Sequence, residues 1–484
     1  ENLQLPSLDK NKILRFYLRL FILFKVPKMA KQREHWGSRL GFIMATAGSA
    51  IGLGSLWRFP YVTGENGGGA FVLLYLIFTF LIGIPVFLGE LIVGRTAQKS
   101  PVNAYGSLSN GSQWRMIGWL NIITNFLILS YYSVVSGWSV NYALMSLNHF
   151  TMGKTPEQIR SIFDILYKSS DMNLLFHFIF MALTAGVVYG GVRKGIEYWS
   201  KILTPALLVL LVGLFIFSVF LPGFPEAAKF ILYPDFSKLG PNGILNALGM
   251  SFFTLSVGLG ILVTYGSYMK PDEDIPKTGF IIGAVSVSVS LFAALMIFPI
   301  IFSFGFQPEE GPGLVFKTLP VLFAQLPGTL VLSTVFFTLF VFTALTSSIS
   351  IIEVLVSNLM ELFDWSRKKA VLICASIAFI LGIPTALSGS GGLFPQWKEM
   401  YRGDFFDTVN YITASWMMPL GGLLAAVFVG WRLDRQIAKA GFESGSSLKF
   451  LVKIWIFLLK WIAPIAVFII LLQQGGIIDF TKLF

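Results

Sequence analysis

This chain is poor in charge. Only 13% of its 484 residues are Asp, Glu, Lys or Arg, against about 25% in soluble domains. Hydrophobic residues make up 55%, and the mean hydropathy is +0.72. Such a composition excludes an ordinary soluble enzyme and implies a polytopic, all-α membrane protein. Cysteine is nearly absent: Cys374 stands alone in an apolar run, so neither an intrachain disulfide nor a cysteine metal cluster can form. The three histidines, His35, His149 and His177, are too scattered to suggest a zinc site. The apolar runs hold no convergent His/Asp/Glu set either; their carboxylates, Glu90 and Glu353, lie far apart. A net charge of +11 would suit a nucleic-acid partner. In a membrane chain, however, basic residues gather in the cytoplasmic loops, and no nucleic acid is expected.

What is present is a series of long apolar runs. A spanning helix needs about 20 such residues. About eleven candidates centre on residues 41–63, 70–94, 117–147, 173–190, 196–221, 242–269, 278–305, 329–361, 368–386, 406–431 and 450–472. Lys and Arg concentrate in alternate loops: Arg95, Lys99 and Arg115; Arg193, Lys194 and Lys201; Lys270 and Lys277; Arg367, Lys368 and Lys369; Arg432, Arg435, Lys439 and Lys449. These loops, with the basic segment from Lys25 to Arg39, should face the cytoplasm, which puts the N-terminus inside and the C-terminus outside. Residues 1–28 carry a short apolar core flanked by Lys and Arg, too short to span. They read either as an amphipathic helix on the inner membrane surface or as an extension ahead of a start at Met29. Residues 29–484 read as one domain. On the outer side, Thr155-Pro156-Glu157 signals a helix start in the loop 149–171.

Two of the runs interrupt their own helices. The first contains Gly48-Ser49-Ala50-Ile51-Gly52-Leu53-Gly54-Ser55, the second Phe252-Phe253-Thr254-Leu255-Ser256-Val257-Gly258-Leu259-Gly260. Each glycine costs helix stability at about 1 kcal/mol relative to alanine. Non-helical backbone at membrane depth survives only where protein, water or ligand satisfies it. Paired breaks in corresponding halves of a chain point to the central site of a secondary transporter.

The motifs Arg33-Glu34-His35-Trp36, Gly52-Leu53-Gly54-Ser55-Leu56-Trp57-Arg58-Phe59-Pro60, Glu65-Asn66-Gly67-Gly68-Gly69-Ala70-Phe71, Phe252-Phe253-Thr254-Leu255-Ser256 and Leu345-Thr346-Ser347-Ser348 resemble, in order and spacing, the neurotransmitter:sodium symporters. The likeness is to the bacterial amino-acid transporters of the leucine-transporter and multi-hydrophobic-amino-acid kind, over residues 30 to 473. It implies an inverted five-helix repeat, about 38–221 and 241–432, with an extra helix at 450–472 and broken helices 1 and 6. It also implies a bacterial inner-membrane location, and sodium-coupled symport of a hydrophobic or aromatic L-amino acid by alternating access. No oligomeric state follows from the residues.

The resemblance also implies residue roles. Bare backbone at Ser49, Ala50, Leu53 and Gly54, with the hydroxyl of Tyr132, would hold the substrate carboxylate. Oxygens near Ala50, Phe253, Thr254, Ser256 and Ser347 would take the ammonium. Ile128, Phe253, Leu259, Ser350 and Ile351 would form the apolar wall. A second sodium site would use Gly48, Ile51, Thr343, Thr346 and Ser347, a set of hard, uncharged oxygens suited to Na⁺. The first sodium site is degenerate: Ser55 and Ser286 stand where the family has asparagines, beside Ala50 and Thr254. Coupling is therefore expected chiefly through the second site. An anion site is half built, with Tyr75 and Ser290 present but Met250 in place of a glutamine. Outer-gate residues are Arg58 with Asp407 or Asn410. Inner-gate residues are Arg33 and Trp36 with Tyr268 and Glu361. Gly195 and Pro205 would be the hinge at which the fifth span unwinds. The loop from Gln307 to Pro327 is expected over the entrance. Proton coupling, with Glu90 as carrier, is the alternative drive, and an ion channel the remote one.

Overall fold

In the computed structural model, the residues described are 33–109, 113–305, 313–391, 396–401, 403–475 and 477; the expectation for residues 1–28 falls outside them. A short N-terminal unit runs to Glu34, and residues 35–484 form the body. Among the described residues of the body the secondary structure is helical, with one isolated bridge between Gly68 and Pro234.

The first apolar run is a bent pair, α1 (Arg39–Ala50) and α2 (Gly54–Glu65), meeting at 47°. Next come α3 (Gly69–Ala97), the short α4 (Pro101–Leu108) and α5 (Arg115–Ser146). The outer helix α6 (Pro156–Lys168) leads into α7 (Ser170–Tyr189) and α8 (Val192–Val219). After α9 (Phe224–Leu232), the sixth run is again a pair, α10 (Pro241–Thr254) and α11 (Ile261–Gly266), parted by six residues. Then follow α12 (Ile275–Ser303), α13 (Leu314–Ala324), α14 (Thr329–Phe363) and α15 (Arg367–Ser390). The last are α16 (405–432), α17 (Arg435–Glu443) and α18 (Lys449–Gln474). Among the described residues, nine helices are long and apolar enough to span by themselves. With the two interrupted pairs they account for the runs read from the sequence.

Local signals work as the sequence suggests. Thr155 caps α6, its side chain accepting from the Gln158 amide while Gln158 reaches back to the Thr155 amide, so both orphan N–H groups are satisfied. The loop expected over the entrance is described in part. Its described part, α13, is buried from Leu314 to Phe316 and again from Thr318 to Phe323. The Phe316 ring stacks on Phe163 at 5.4 Å, and its carbonyl accepts from the Tyr142 hydroxyl at 2.9 Å. The aromatic content of α13 wedges it between α5, α6 and α14.

The long, largely buried α14 packs most heavily on α5. Those two helices, with α1 and the α10–α11 break, surround the polar centre of the body.

Candidate functional site

At the first break, α1 ends on Ala50, and the Gly52 carbonyl takes over as acceptor for the Ser55 and Leu56 amides at 3.1 and 3.4 Å. Its glycines are required by contact rather than by unusual dihedrals. Neither Gly48, Gly52 nor Gly54 has positive φ. A Cβ on Gly48 would lie 2.6 Å from Thr204 Oγ1 and 3.2 Å from Thr346 Cβ; one on Gly52 would lie 2.8 Å from Ser347 Oγ; one on Gly54 would enter the Phe253 ring. The small residues thus bring α1 and α2 against α8, α14 and α10.

The second break is conformational. Ser256, Gly258 and Gly260 have φ of 54°, 86° and 72°, left-handed values that unwind the chain. Several of its orphan groups are provided for. Glu90 Oε1 accepts from the Gly258 amide at 3.1 Å. Asn121 donates to the Gly258 carbonyl at 2.8 Å, and Asn125 to the Leu259 carbonyl at 2.7 Å. The two asparagines were not singled out in the sequence; polar residues one turn apart inside the apolar run 117–147 were the available signal. The breaks meet at Ser49: its carbonyl accepts from Ser256 Oγ and Ser347 Oγ, each at 3.2 Å.

Where they meet, a cavity of about 50 Å³ is lined by Ser49, Ala50, Leu53, Gly54, Ile128, Tyr132, Phe253, Ser256, Leu259, Ser347, Ser350 and Ile351. That is several times the ~10–15 Å³ a single water needs on this measure. Every substrate-binding candidate is there except Thr254, which faces away. Gly52, Tyr131, Ile261 and Met418 complete the wall; the sequence offered no motif for Met418. Leu53 N–H points at the Tyr132 hydroxyl, 3.5 Å away, and Ser49 Oγ lies 2.7 Å from Ser350 Oγ. One end of the cavity is therefore polar and the rest apolar.

Above it lies a vestibule of about 710 Å³, lined by Trp57, Arg58, Tyr61, Glu65, Val135, Phe406, Asp407 and Asn410. Both spaces share Leu53, Gly54, Tyr131, Tyr132 and Phe253, which form the partition between them. Arg58 lies over the Phe253 ring at 4.9 Å. Asp407 and Asn410 line the same vestibule, and Asp407 Oδ2 accepts from the Asp404 amide at 3.2 Å as part of a capping box.

At the expected second sodium site, Gly48 and Thr346 are in close approach. Thr346 Oγ1 donates to the Thr343 carbonyl at 2.9 Å, and Ile51 is buried. A hydroxyl that donates its proton keeps its lone pairs for a cation, so these residues fit a sodium ion. At the first site, Ser286 Oγ donates to the Thr254 carbonyl at 3.0 Å. Thr254 Oγ1 donates to the Met250 carbonyl and accepts from Tyr75, at 3.0 and 3.1 Å. Tyr75 also touches Ser290 at 3.3 Å, and Ser55 Oγ is buried with no protein partner. Among the described residues no group of His, Cys, Asp and Glu could hold a metal.

The opposite end of the pathway is closed. Trp36 is 1% exposed; its ring N–H donates to the Tyr265 carbonyl and its amide to the Tyr268 carbonyl, both at 3.0 Å. Tyr268 donates to Glu353 at 2.5 Å, and Arg367 binds the same carboxylate through two nitrogens at 2.8 and 2.9 Å. Glu353 and Tyr268 thus form the inner contact. Glu361 accepts from the Ser100 amide at 2.9 Å and from Ser100 Oγ at 2.6 Å. Ser38 caps α1, its hydroxyl accepting from the Gly41 amide at 3.1 Å, and Glu197 holds this start in place, accepting from the Gly37 amide at 2.6 Å and Ser38 Oγ at 2.8 Å, where a carboxylate also meets the positive end of the helix. The hinge candidates sit in a wound helix: Gly195 packs on the Val187 carbonyl so closely that no Cβ fits, and Pro205 lies inside α8.

The model of the sodium:neurotransmitter symporter family matches residues 33–156 and 158–480. YhdH of Bacillus subtilis, an uncharacterized sodium-dependent transporter, is 39% identical over 454 residues, covering 93% of this chain and 100% of the relative. An uncharacterized sodium-dependent transporter of Haemophilus influenzae is 34% identical, with 92% and 98% covered. The crystal structure of MhsT in complex with L-phenylalanine matches with a TM-score of 0.85 at 40% identity, covering 91% of this chain and 100% of that one. An all-helical body with two broken spans crossing at a polar centre, and these matches along nearly its whole length, place the chain: it belongs to the sodium:neurotransmitter symporter family.

Proposed function

We propose that this chain couples the inward movement of sodium to uptake of a hydrophobic or aromatic L-amino acid, using chiefly the second sodium site. The observation that carries the reading is the cavity at the crossing of the two breaks, polar at Leu53, Ser256 and Tyr132 and apolar at Ile128, Leu259, Ile261 and Ile351. Exposed amides of the first break would bind the carboxylate, and the carbonyls and hydroxyls of the second break the ammonium. The apolar wall would then take the side chain. MhsT, whose complex holds L-phenylalanine, supports an aromatic passenger.

Sodium held by Gly48, Ile51, Thr343, Thr346 and Ser347 would tie α1 to α14 and order the first break. The substrate would complete closure by drawing Tyr132 and Phe253 together. Escape of the ion toward the cytoplasm would then release α1 and with it the substrate. At the first site the Thr254 hydroxyl already accepts from Tyr75, and the short Ser55 and Ser286 side chains replace amides, which supports a weak or empty site there. The N-terminus lies inside and the C-terminus outside, on the loop charges.

Uptake of labelled phenylalanine, leucine and glycine into proteoliposomes, under separate sodium and proton gradients, tests the proposal. Sodium should drive phenylalanine and leucine uptake with a Hill coefficient near one. Uptake driven by protons alone, or a Hill coefficient near two, would overturn the drive or the one-site reading respectively.

A further inference from the structure

The corner between α17 and α18 holds a feature that transport does not use. A basin of about 660 Å³ opens there, with Arg435, Lys439, Lys449 and Lys453 around it and Phe450 and Ile456 in its apolar part. Its acidic member is Glu443, 3.9 Å from Lys439. Four cations against one carboxylate leave a concentrated positive field.

The position of the basin identifies the ligand. Trp431 and Trp461 meet edge to face at 4.9 Å, with Lys460 Nζ 4.4 Å from the Trp431 centroid. Paired tryptophans and a snorkelling lysine mark a membrane–water boundary. Lys453 is seven residues before Lys460 on α18, about 10 Å further out at 1.5 Å per residue, which is the headgroup layer. Ile454 and Phe457, 56% and 53% exposed, continue an apolar wall from the basin toward the bilayer.

We propose that this basin binds the headgroup phosphate of an acidic phospholipid, with the acyl chains lying along α18. A free phosphate would satisfy the cations but leave the adjoining apolar wall unused. The opposite face of α17 is keyed to the inner loops: Ser444 donates to the Pro271 carbonyl at 2.9 Å, and Arg95 joins the Gly441 and Glu273 carbonyls. A lipid in the basin thereby steadies a brace between α3, the α11–α12 loop and α18.

The test is native mass spectrometry of delipidated protein titrated with phosphatidylglycerol, phosphatidylcholine or inorganic phosphate. Phosphatidylglycerol should bind in preference to the other two. Each Lys→Gln change at 439, 449 or 453 should weaken it about fivefold, and the triple variant on the order of 100-fold. The control K154Q/K168Q/K229Q removes the same charge from other exposed lysines and should leave binding unchanged. Equal loss in the control, unchanged retention in the triple variant, or phosphate binding as tightly as the lipid would each overturn the proposal. Should the triple variant fold poorly, K449Q and K453Q separately carry the same fivefold expectation.

Discussion

Replacing Thr346 by valine separates ion binding from folding more cleanly than any other change at the centre of this molecule. The side chain is 3% exposed, and its hydroxyl donates only to the Thr343 carbonyl, at 2.9 Å within its own helix. Valine keeps the shape. The folding cost is one neutral hydrogen bond, about 0.5–1.5 kcal/mol. For a bound cation the same change removes one oxygen ligand. Interactions with a charged partner are worth about 1.5–3 kcal/mol, so the half-saturating sodium concentration should rise about 10- to 150-fold. Ser286→Ala at the degenerate site should shift it less than about threefold, since only a bond to the Thr254 carbonyl is lost. The assay is sodium titration of substrate binding in detergent, with thermal unfolding run alongside. If T346V leaves the sodium dependence unchanged while S286A shifts it strongly, the reasoning about which site couples transport is wrong.

Three other outcomes follow from contacts in the body. Arg367→Ala should destabilise the protein by about 3–5 kcal/mol, because it strands the fully buried Glu353 carboxylate; thermal unfolding should show this, with E353Q/R367Q recovering much of the loss. Glu90→Gln should retain sodium-driven uptake, because an amide oxygen can still accept from the Gly258 amide, whereas Glu90→Ala should lose most of it; loss of uptake in E90Q together with a lost proton dependence would favour proton coupling. Glu197→Ala removes the carboxylate that anchors Gly37 and Ser38 at the start of α1, an interaction worth up to about 2 kcal/mol, so the inner gate should open more often. A thiol introduced at the buried Ser267 should then react up to about 30-fold faster with a maleimide, and an unchanged rate would refute the anchoring role of Glu197.

Much of the centre was legible because its chemistry leaves local marks. The glycine-rich breaks, the Thr346-Ser347 pair and the mid-span Tyr132 all come from runs whose composition makes no sense as plain lipid-facing helix. The partners of these groups were harder to read. Asn121 and Asn125 look like scattered polar residues until the second break is seen to need two donors. Glu353 and Glu361 are both carboxylates near the end of one helix, and nothing in their spacing says which meets Tyr268 and which caps α4. Arg58, Asp407 and Asn410 lie far apart in the sequence, and their sharing of one vestibule depends on how α2 and α16 come together.

The sequence by itself determined the number and approximate limits of the spans, the two interruptions and the inventory of oxygens near them, because hydropathy and helix breaking are properties of neighbouring residues. Only the tertiary structure decided what those interruptions face. That Gly48 exists to admit Thr204 and Thr346, while Gly258 exists to turn the chain, depends on atoms more than 90 residues away, and close packing between distant helices leaves no periodic trace in either one.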